Sequence, residues 1–287
     1  MRDVFEFAGM TGLLQRRPLA AVVMIVVATA APFTRAEADT VQVYAAGSLR
    51  GVMTELAAEA KATLQIDIQA TFGGSGALRE RIEKGEAPDL FLSADLASPR
   101  KLQAQGRTLV PVVAFARNRL CVLARRAAGV TTDNLVERML ARGVRVKTST
   151  PIVDPSGDYA WSMFDRIDVL HPGAAAILKA KAQALMGAKA PPSRATQNPT
   201  AALFVSGQID MSVTYCSGAA VLEKAVPGLV SLPVPERLDP HPVYGLAVLS
   251  ARAPALHVAL LLLSAKGQEI IGNQGLVPIT SPQGGGS

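Results

Sequence analysis

Residues 41–49, VQVYAAGSL, and residues 64–76, LQIDIQATFGGSG, follow one pattern twice. A short apolar strand runs into a small Gly/Ser turn and then directly into a helix: Val41–Ala46 ahead of Gly47-Ser48-Leu49, and Leu64–Phe72 ahead of Gly73-Gly74-Ser75-Gly76. A helix start leaves backbone N–H groups without partners and carries partial positive charge, so two such starts facing one cleft form a receptor for an anion. Each turn also supplies one serine hydroxyl.

Outward from this pair, strand and helix alternate along most of the chain, which predicts an α/β fold with mostly parallel sheets flanked by helices. Leu49, Val52, Met53, Leu56, Ala57 and Ala60 recur at helical spacing, and Leu64, Ile66, Ile68 and Ala70 alternate as in a strand. Helices are expected over Ala77–Lys84 and Pro99–Gln105, and strands over Leu90–Ser93 and Arg119–Ala124. A second run reads as strand Val144–Thr148, loop Thr150–Asp158, helices through Met186 and strand Ile209–Tyr215. Pro191–Pro199 reads as a loop before a helix at Thr200, and the proline-rich stretch Val226–Pro242 as irregular. Strand Val243–Leu249 and helices Pro254–Leu263 and Lys266–Asn273 follow, with a disordered Gly-rich tail after Pro282.

The N-terminus has the outline of a secretory signal peptide: Arg16-Arg17, an apolar stretch Leu19–Ala31, then small residues. That stretch falls short of the roughly 20 residues a helix needs to span a bilayer. Ala36-Glu37-Ala38 fits the small-x-small cleavage rule, as does Thr34-Arg35-Ala36; residues 1–38 are assigned to the leader and the mature start to Asp39. No later window is long and apolar enough for a span, so the mature protein is expected to be soluble. The net charge of +6 comes from scattered residues, 29 basic against 23 acidic, which gives no nucleic-acid surface. Cys121 and Cys216 can form one disulfide in an oxidising compartment or stay two buried thiols, and both readings stand. His171, His241 and His257 are isolated, so no metal site is read.

Several segments carry a resemblance. Ala45-Ala46-Gly47-Ser48-Leu49, Phe72-Gly73-Gly74-Ser75-Gly76-Ala77-Leu78, Ala87–Asp95, Asp154-Pro155 with Tyr159-Ala160, and Val213-Thr214-Tyr215 stand in the order found in the periplasmic molybdate-binding proteins of ABC importers. The chain resembles that family over nearly its whole mature length. The resemblance implies a two-lobed periplasmic binding protein fold (type II) that closes on molybdate or tungstate, with lobe 1 as residues 39–118 plus 248–287 and lobe 2 as residues 119–247. It implies a periplasmic monomer that hands its anion to an ABC permease in the inner membrane, with no catalysis and no cofactor. Matched motif to motif, the ligand contacts fall on the hydroxyls of Ser48, Ser75 and Tyr215 and on the backbone amide of Ser156. The last contact falls on Pro199, which has no N–H, so either it shifts to Thr200, whose amide and hydroxyl sit at a helix start, or the pocket takes a somewhat different anion. Ser156 is a second departure, because a small apolar residue is usual there.

A site without Lys or Arg suits a buried dianion. Fixed neutral donors satisfy its lone pairs without a countercharge that must itself be desolvated. Such a pocket rejects anions whose own O–H would meet only donors. Arg50 and Arg79 lie in first helical turns and are expected to point outward. Plainer readings remain for each residue: Ser48 and Ser75 as N-caps, Tyr215 as core, Ser156 as a turn former. Two rivals follow, the same fold with another anion such as sulfate, phosphate or a small organic acid, and a serine hydrolase with Ser75 on a nucleophile elbow.

Overall fold

The computed structural model describes residues 39–186 and 198–279. The leader assigned to residues 1–38, the loop residues 191–197 and the tail after Pro282 lie outside the described residues.

The first lobe runs β1 (Thr40–Ala46), a 3-10 turn over Gly47–Leu49, α1 (Arg50–Leu64), β2 (Asp67–Gly73), α2 (Ser75–Glu83), β3 (Leu90–Ser93), α3 (Ala97–Ala104) and β4 (Val113–Arg117). The second runs β5 (Leu120–Arg125), α4 (Leu135–Leu140), β6 (Val146–Lys147), α5 (Pro155–Leu170), α6 (Ala174–Gln183), α7 (Pro199–Val205), β7 (Met211–Tyr215), α8 (Cys216–Ala225) and β8 (Leu229–Pro233). The chain then returns to the first lobe with β9 (Val243–Val248), α9 (Ala253–Leu263), α10 (Ala265–Asn273) and β10 (Val277–Pro278).

Two sheets result, ordered β10-β4-β9-β3-β1-β2 and β6-β7-β5-β8, each covered by helices. Pairing is parallel where a helix carries the chain back across the sheet, at β1–β2, β1–β3 and β6–β7. The other ladders are antiparallel, so each sheet is mixed rather than mostly parallel. The reason is the double crossing: β9 arrives from lobe 2 and inserts between β3 and β4 against their direction, pairing Leu92 with Leu246 and Val113 with Leu246. This corrects the second boundary. Val243–Ala247 belong to the lobe 1 sheet, and the chain crosses back over residues 234–242.

Local chemistry explains where elements stop. α1 buries Val52, Met53, Leu56 and Ala60 on one face and ends at Gln65, whose left-handed φ of 59° turns the chain so that the Ile66 N–H reaches Ala60 O at 3.3 Å. Leu64 therefore closes the helix, and the strand expected from Leu64 begins at Asp67. The proline-rich stretch does contain a strand, β8, tolerated because it is an edge strand with Pro233 at its last position. The loop expected through Asp158 ends at Asp154, because Pro155 takes the first position of α5, where no N–H is needed.

The main core packs the α1 face and α9 (Val258, Leu262) on Val41, Val43, Leu90 and Leu92, and continues into lobe 2 through Met163 and Phe164 of α5. Each such side chain contributes about 1.5–3 kcal/mol on full burial. Among the described residues no single helix is long and apolar enough to cross a membrane. Only α9 and α10 pass together, bent by 62°, with Val258 and Leu262 buried in the core.

Candidate functional site

Between the lobes lies a cleft of about 470 Å³. Lobe 1 supplies Ala46, Gly47, Ser48, Arg50, Gly73 and Gly74; lobe 2 supplies Ser149, Asp154, Ser156, Asn198, Thr200, Thr214, Tyr215, Ser217 and Gly218. Four of the five expected residues, Ser48, Ser156, Thr200 and Tyr215, line it together. Ser75 does not. It is 0 % exposed, and its Oγ accepts from the Ala94 N–H at 3.0 Å, tying the start of α2 to the end of β3.

One wall of the cleft, drawn from both lobes, is a relay of hydroxyls governed by Asn118, a buried residue at the first crossing. Its Oδ1 accepts from the Arg119 N–H at 2.9 Å, which fixes the orientation of the amide. Its Nδ2 then donates to Tyr244 Oη at 3.1 Å and to Ser217 Oγ at 2.8 Å. Tyr244 is 0 % exposed and lies 2.9 Å from Ser48 Oγ. Either hydroxyl can donate in the Ser48–Tyr244 bond; the buried Tyr244 proton finds an acceptor only when Tyr244 donates to Ser48, and that arrangement leaves the Ser48 proton for the cleft. Ser217, already accepting from Asn118, likewise keeps its proton. One buried amide thus sets two hydroxyls as donors.

Tyr215 completes this wall. It is 5 % exposed, its ring lies 5.8 Å from that of Tyr244 and 6.4 Å from that of Tyr159, and its buried hydroxyl has no hydrogen-bond partner among the described residues. Burial pushes the Tyr215 phenol well above its ordinary range and the Tyr159 phenol up to about 12, so both remain protonated donors at neutral pH. A buried, unpartnered donor is costly unless something binds it.

Lobe 2 treats its helix starts differently. Asp154 Oδ1 accepts from the Ser156 N–H at 3.1 Å, and Asn198 Oδ1 accepts from the N–H groups of Thr200 and Ala201 at 3.0 and 3.1 Å. The amides expected to bind a ligand at Ser156 and Thr200 are therefore already capped, and both residues line the cleft with hydroxyls that have no partner among the described residues. The other charges also depart from expectation. Arg50 lines the cleft, its guanidinium stacked 4.4 Å from the Phe72 ring centroid. Arg79 instead pairs with Glu83 at 3.5 Å. Lys147 lines an adjoining pocket of about 330 Å³ that shares Gly74, Ser149 and Asp154 with the cleft; burial lowers its pKa, and Asp154 opposes that shift.

The lobes touch at the start of α2. The Ala77 N–H donates to Val153 O at 3.3 Å. A Cβ on Gly74 would stand 2.3 Å from Val153 O, and one on Gly76 1.8 Å from Ile152 O, so only glycine permits this approach. Cys121 and Cys216 form a disulfide, Cα–Cα 4.9 Å, which closes the alternative left open by the sequence. It joins β5 to the first residue of α8 and so holds Tyr215, Ser217 and Gly218 in place.

Sequence reasoning missed Asn118, Tyr244, Ser217 and Gly218. A signal existed for two of these: Val213-Thr214-Tyr215 followed by Cys216-Ser217-Gly218 is a third strand, small-residue and helix-start pattern. Asn118 and Tyr244 meet only through the crossings. His171, His241 and His257 are exposed, and among the described residues none is hydrogen-bonded to Ser75. Among the described residues no three His, Cys, Asp or Glu side chains converge to hold a metal ion.

A family model for bacterial extracellular solute-binding proteins matches residues 41–277. The chain belongs to this family. An uncharacterized protein of Pasteurella multocida (strain Pm70) is 33% identical over 239 residues, covering 83% of this chain and 98% of its own. Among solved structures, this solute-binding protein is similar to the periplasmic molybdate-binding protein of Azotobacter vinelandii, with TM-score 0.65, 20% identity, and coverage of 84% of this chain and 100% of that one. It is also similar to the sulfate-binding protein SubI of Mycobacterium tuberculosis H37Rv, with TM-score 0.68, 14% identity, and coverage of 84% and 87%. At these identities the structural likenesses show the two-lobed fold.

Proposed function

We propose that this solute-binding protein captures an anion in the interlobe cleft and delivers it to an ABC permease, acting in the periplasm as a monomer without catalysis or cofactor. The observation that carries this reading is the Tyr215 hydroxyl, buried and without a partner among the described residues, on a side chain that lines the cleft beside Ser48 and Ser217. Neutral donors held by a buried scaffold suit an anion that sheds its water on entry. Molybdate and tungstate are the first ligands to test, because Ser48 and Tyr215 stand where the resemblance puts their contacts. The Cys121–Cys216 disulfide supports an oxidising compartment.

A second reading, the same cleft holding phosphate or a small organic acid, is favoured by Arg50 and Asp154, two charged side chains in a cleft expected to have none. Thermal shift against molybdate, tungstate, sulfate, phosphate and carboxylates at fixed ionic strength separates the readings, since a ligand that binds only the native state raises the melting point with its affinity. A rise with molybdate and tungstate supports the first, and a rise with phosphate or carboxylates alone the second. Tyr215→Phe should abolish most of either response. A response untouched by that change would place the ligand elsewhere.

A further inference from the structure

We infer that Asp154 makes the cleft select an anion bearing its own O–H donor, on or beside the charged group, over an anion that offers acceptors only. The inference deepens the second of the two readings and rests on the cleft being the anion site, which is supported independently by the buried Tyr215 hydroxyl, without a partner among the described residues.

Asp154 lines both the cleft and the adjoining pocket, so the residue stands where the two spaces meet. Oδ1 accepts from Ser156, and Oδ2 accepts from no group among the described residues. An ionised carboxylate has only lone pairs to offer. Against an oxyanion with no proton, Oδ2 meets acceptor with acceptor and charge with like charge. An O–H on the ligand turns the same contact into a short charge-assisted bond. The opposite wall does the complementary work, because Ser48, Ser217 and Tyr215 present donors and need acceptors from the ligand. The site is therefore polarised across its width, with donors on one side and an acceptor on the other.

The remaining charges do not remove this demand. Lys147, in the adjoining pocket, donates to Thr148 O at 3.3 Å and feels Asp154 only through space, with no hydrogen bond between them. Arg50 stacks on Phe72. Asp95 and Asp158 add further negative field at Tyr215 and Tyr159. Size agrees. Four oxygens around one centre need about four water volumes, ~120 Å³, against a cleft of about 470 Å³ with a further 330 Å³ beside it. The space admits a hydroxylated carbon chain as readily as a protonated inorganic ion. The shared chemistry is an acidic group with an adjacent hydroxyl, met by hydrogen phosphate and by a 2-hydroxycarboxylate.

Titration calorimetry on the protein with matched pairs tests this: inorganic phosphate against sulfate, and lactate against propionate, with molybdate as a further acceptor-only ion. The hydroxyl-bearing member of at least one pair should bind about tenfold more tightly, the scale of one charged hydrogen bond gained against one left mispaired. Which pair discriminates identifies the source. Asp154→Asn keeps a good N-cap for α5 and puts an N–H where Oδ2 was, so the ratio should fall by about tenfold and acceptor-only ions should gain. Sulfate or molybdate binding more tightly than every hydroxyl-bearing ligand overturns the inference, as does a ratio unchanged in Asp154→Asn. Tyr215→Phe distinguishes the two failures: if it weakens all ligands, the cleft stands and only the role of Asp154 falls, whereas if it weakens none, both fall.

Discussion

On the lobe 1 wall the turn ahead of α1 carries no side-chain cap and Ser48 keeps a proton for the cleft, whereas on the lobe 2 wall α5 and α7 open with Asp154 and Asn198 bonded to their own first amides. Both walls are built from helix starts, the feature that makes an anion site plausible from sequence. Only one wall leaves its donors open. A helix start is a binding element when nothing local satisfies it, and an N-cap with an Asp or Asn side chain turns it into an ordinary structural end. α8 is the exception within lobe 2: Tyr215 gives it no side-chain cap, and Ser217 and Gly218 reach the cleft.

The largest expected effect breaks the comparison at that exception. Cys121 and Cys216 are 95 residues apart, and removing the bond by Cys121→Ser with Cys216→Ser should lower unfolding free energy by about 2–4 kcal/mol. Urea denaturation reads the loss. Anion affinity should fall as well, because the bond fixes the first residue of the uncapped helix. Unchanged stability would mean that β5 and α8 are held together by packing alone. Next in size is Asn118→Leu, which removes the amide that orients Tyr244 and Ser217. Ser48 and Ser217 would no longer be fixed as donors, and affinity should drop about 10- to 100-fold, the equivalent of one to two charged hydrogen bonds. Lost stability with full affinity would assign Asn118 a purely structural role.

The lobe 1 wall was half legible in the sequence. Gly47-Ser48-Leu49 after an apolar strand places a hydroxyl at a helix start, and local spacing suffices to say so. Its partners were not legible: Asn118 sits at the first crossing and Tyr244 returns with β9, and no short-range pattern announces that they will meet Ser48. The same limit explains β9 itself, whose alternation marks a strand without saying which sheet it joins. On the lobe 2 wall the sequence showed Asp154-Pro155 and Asn198-Pro199, two Asx-Pro pairs that are strong N-terminal signals. Taken as caps, they foretell amides already occupied. Taken only through a resemblance, they promised amides free to bind. Ser75 lies outside the cleft lining although its turn matches that of Ser48, because a matching turn does not fix which way its side chain is used: here a bond from the Ala94 N–H holds it inside.

That asymmetry between twin turns is itself testable. Ser48→Ala should weaken anion binding by about tenfold with little change in stability, since the lost hydroxyl faces the cleft. Ser75→Ala should do the reverse, lowering stability by about 1–2 kcal/mol as the buried Ala94 amide loses its acceptor, with affinity kept. Paired thermal melts and calorimetry check both. Equal losses of affinity would restore the two serines to equal roles in binding.

The smallest expected effect concerns the charged side of lobe 2. Lys147 is held below its ordinary pKa of 10.5, first by burial, with Asp154 pulling the other way. At neutral pH both folded and unfolded chains carry the proton, so the native state bears the whole cost of a desolvated ammonium. As pH rises through the lowered native pKa toward 10.5, the folded chain gives up its proton first, the unfolded chain binds more, and wild-type stability increases across that window. Lys147→Met fills the same space without a charge to titrate. It should raise the melting temperature at neutral pH by no more than about 2–4 °C, the shift that about 1 kcal/mol produces in a chain of this size, and the gain should shrink as pH climbs. A gain that stays constant with pH would come from packing rather than charge. A loss at neutral pH would mean that the attraction of Asp154 outweighs desolvation, which would make the acidic wall of the cleft a supported ion pair rather than an acceptor awaiting a ligand.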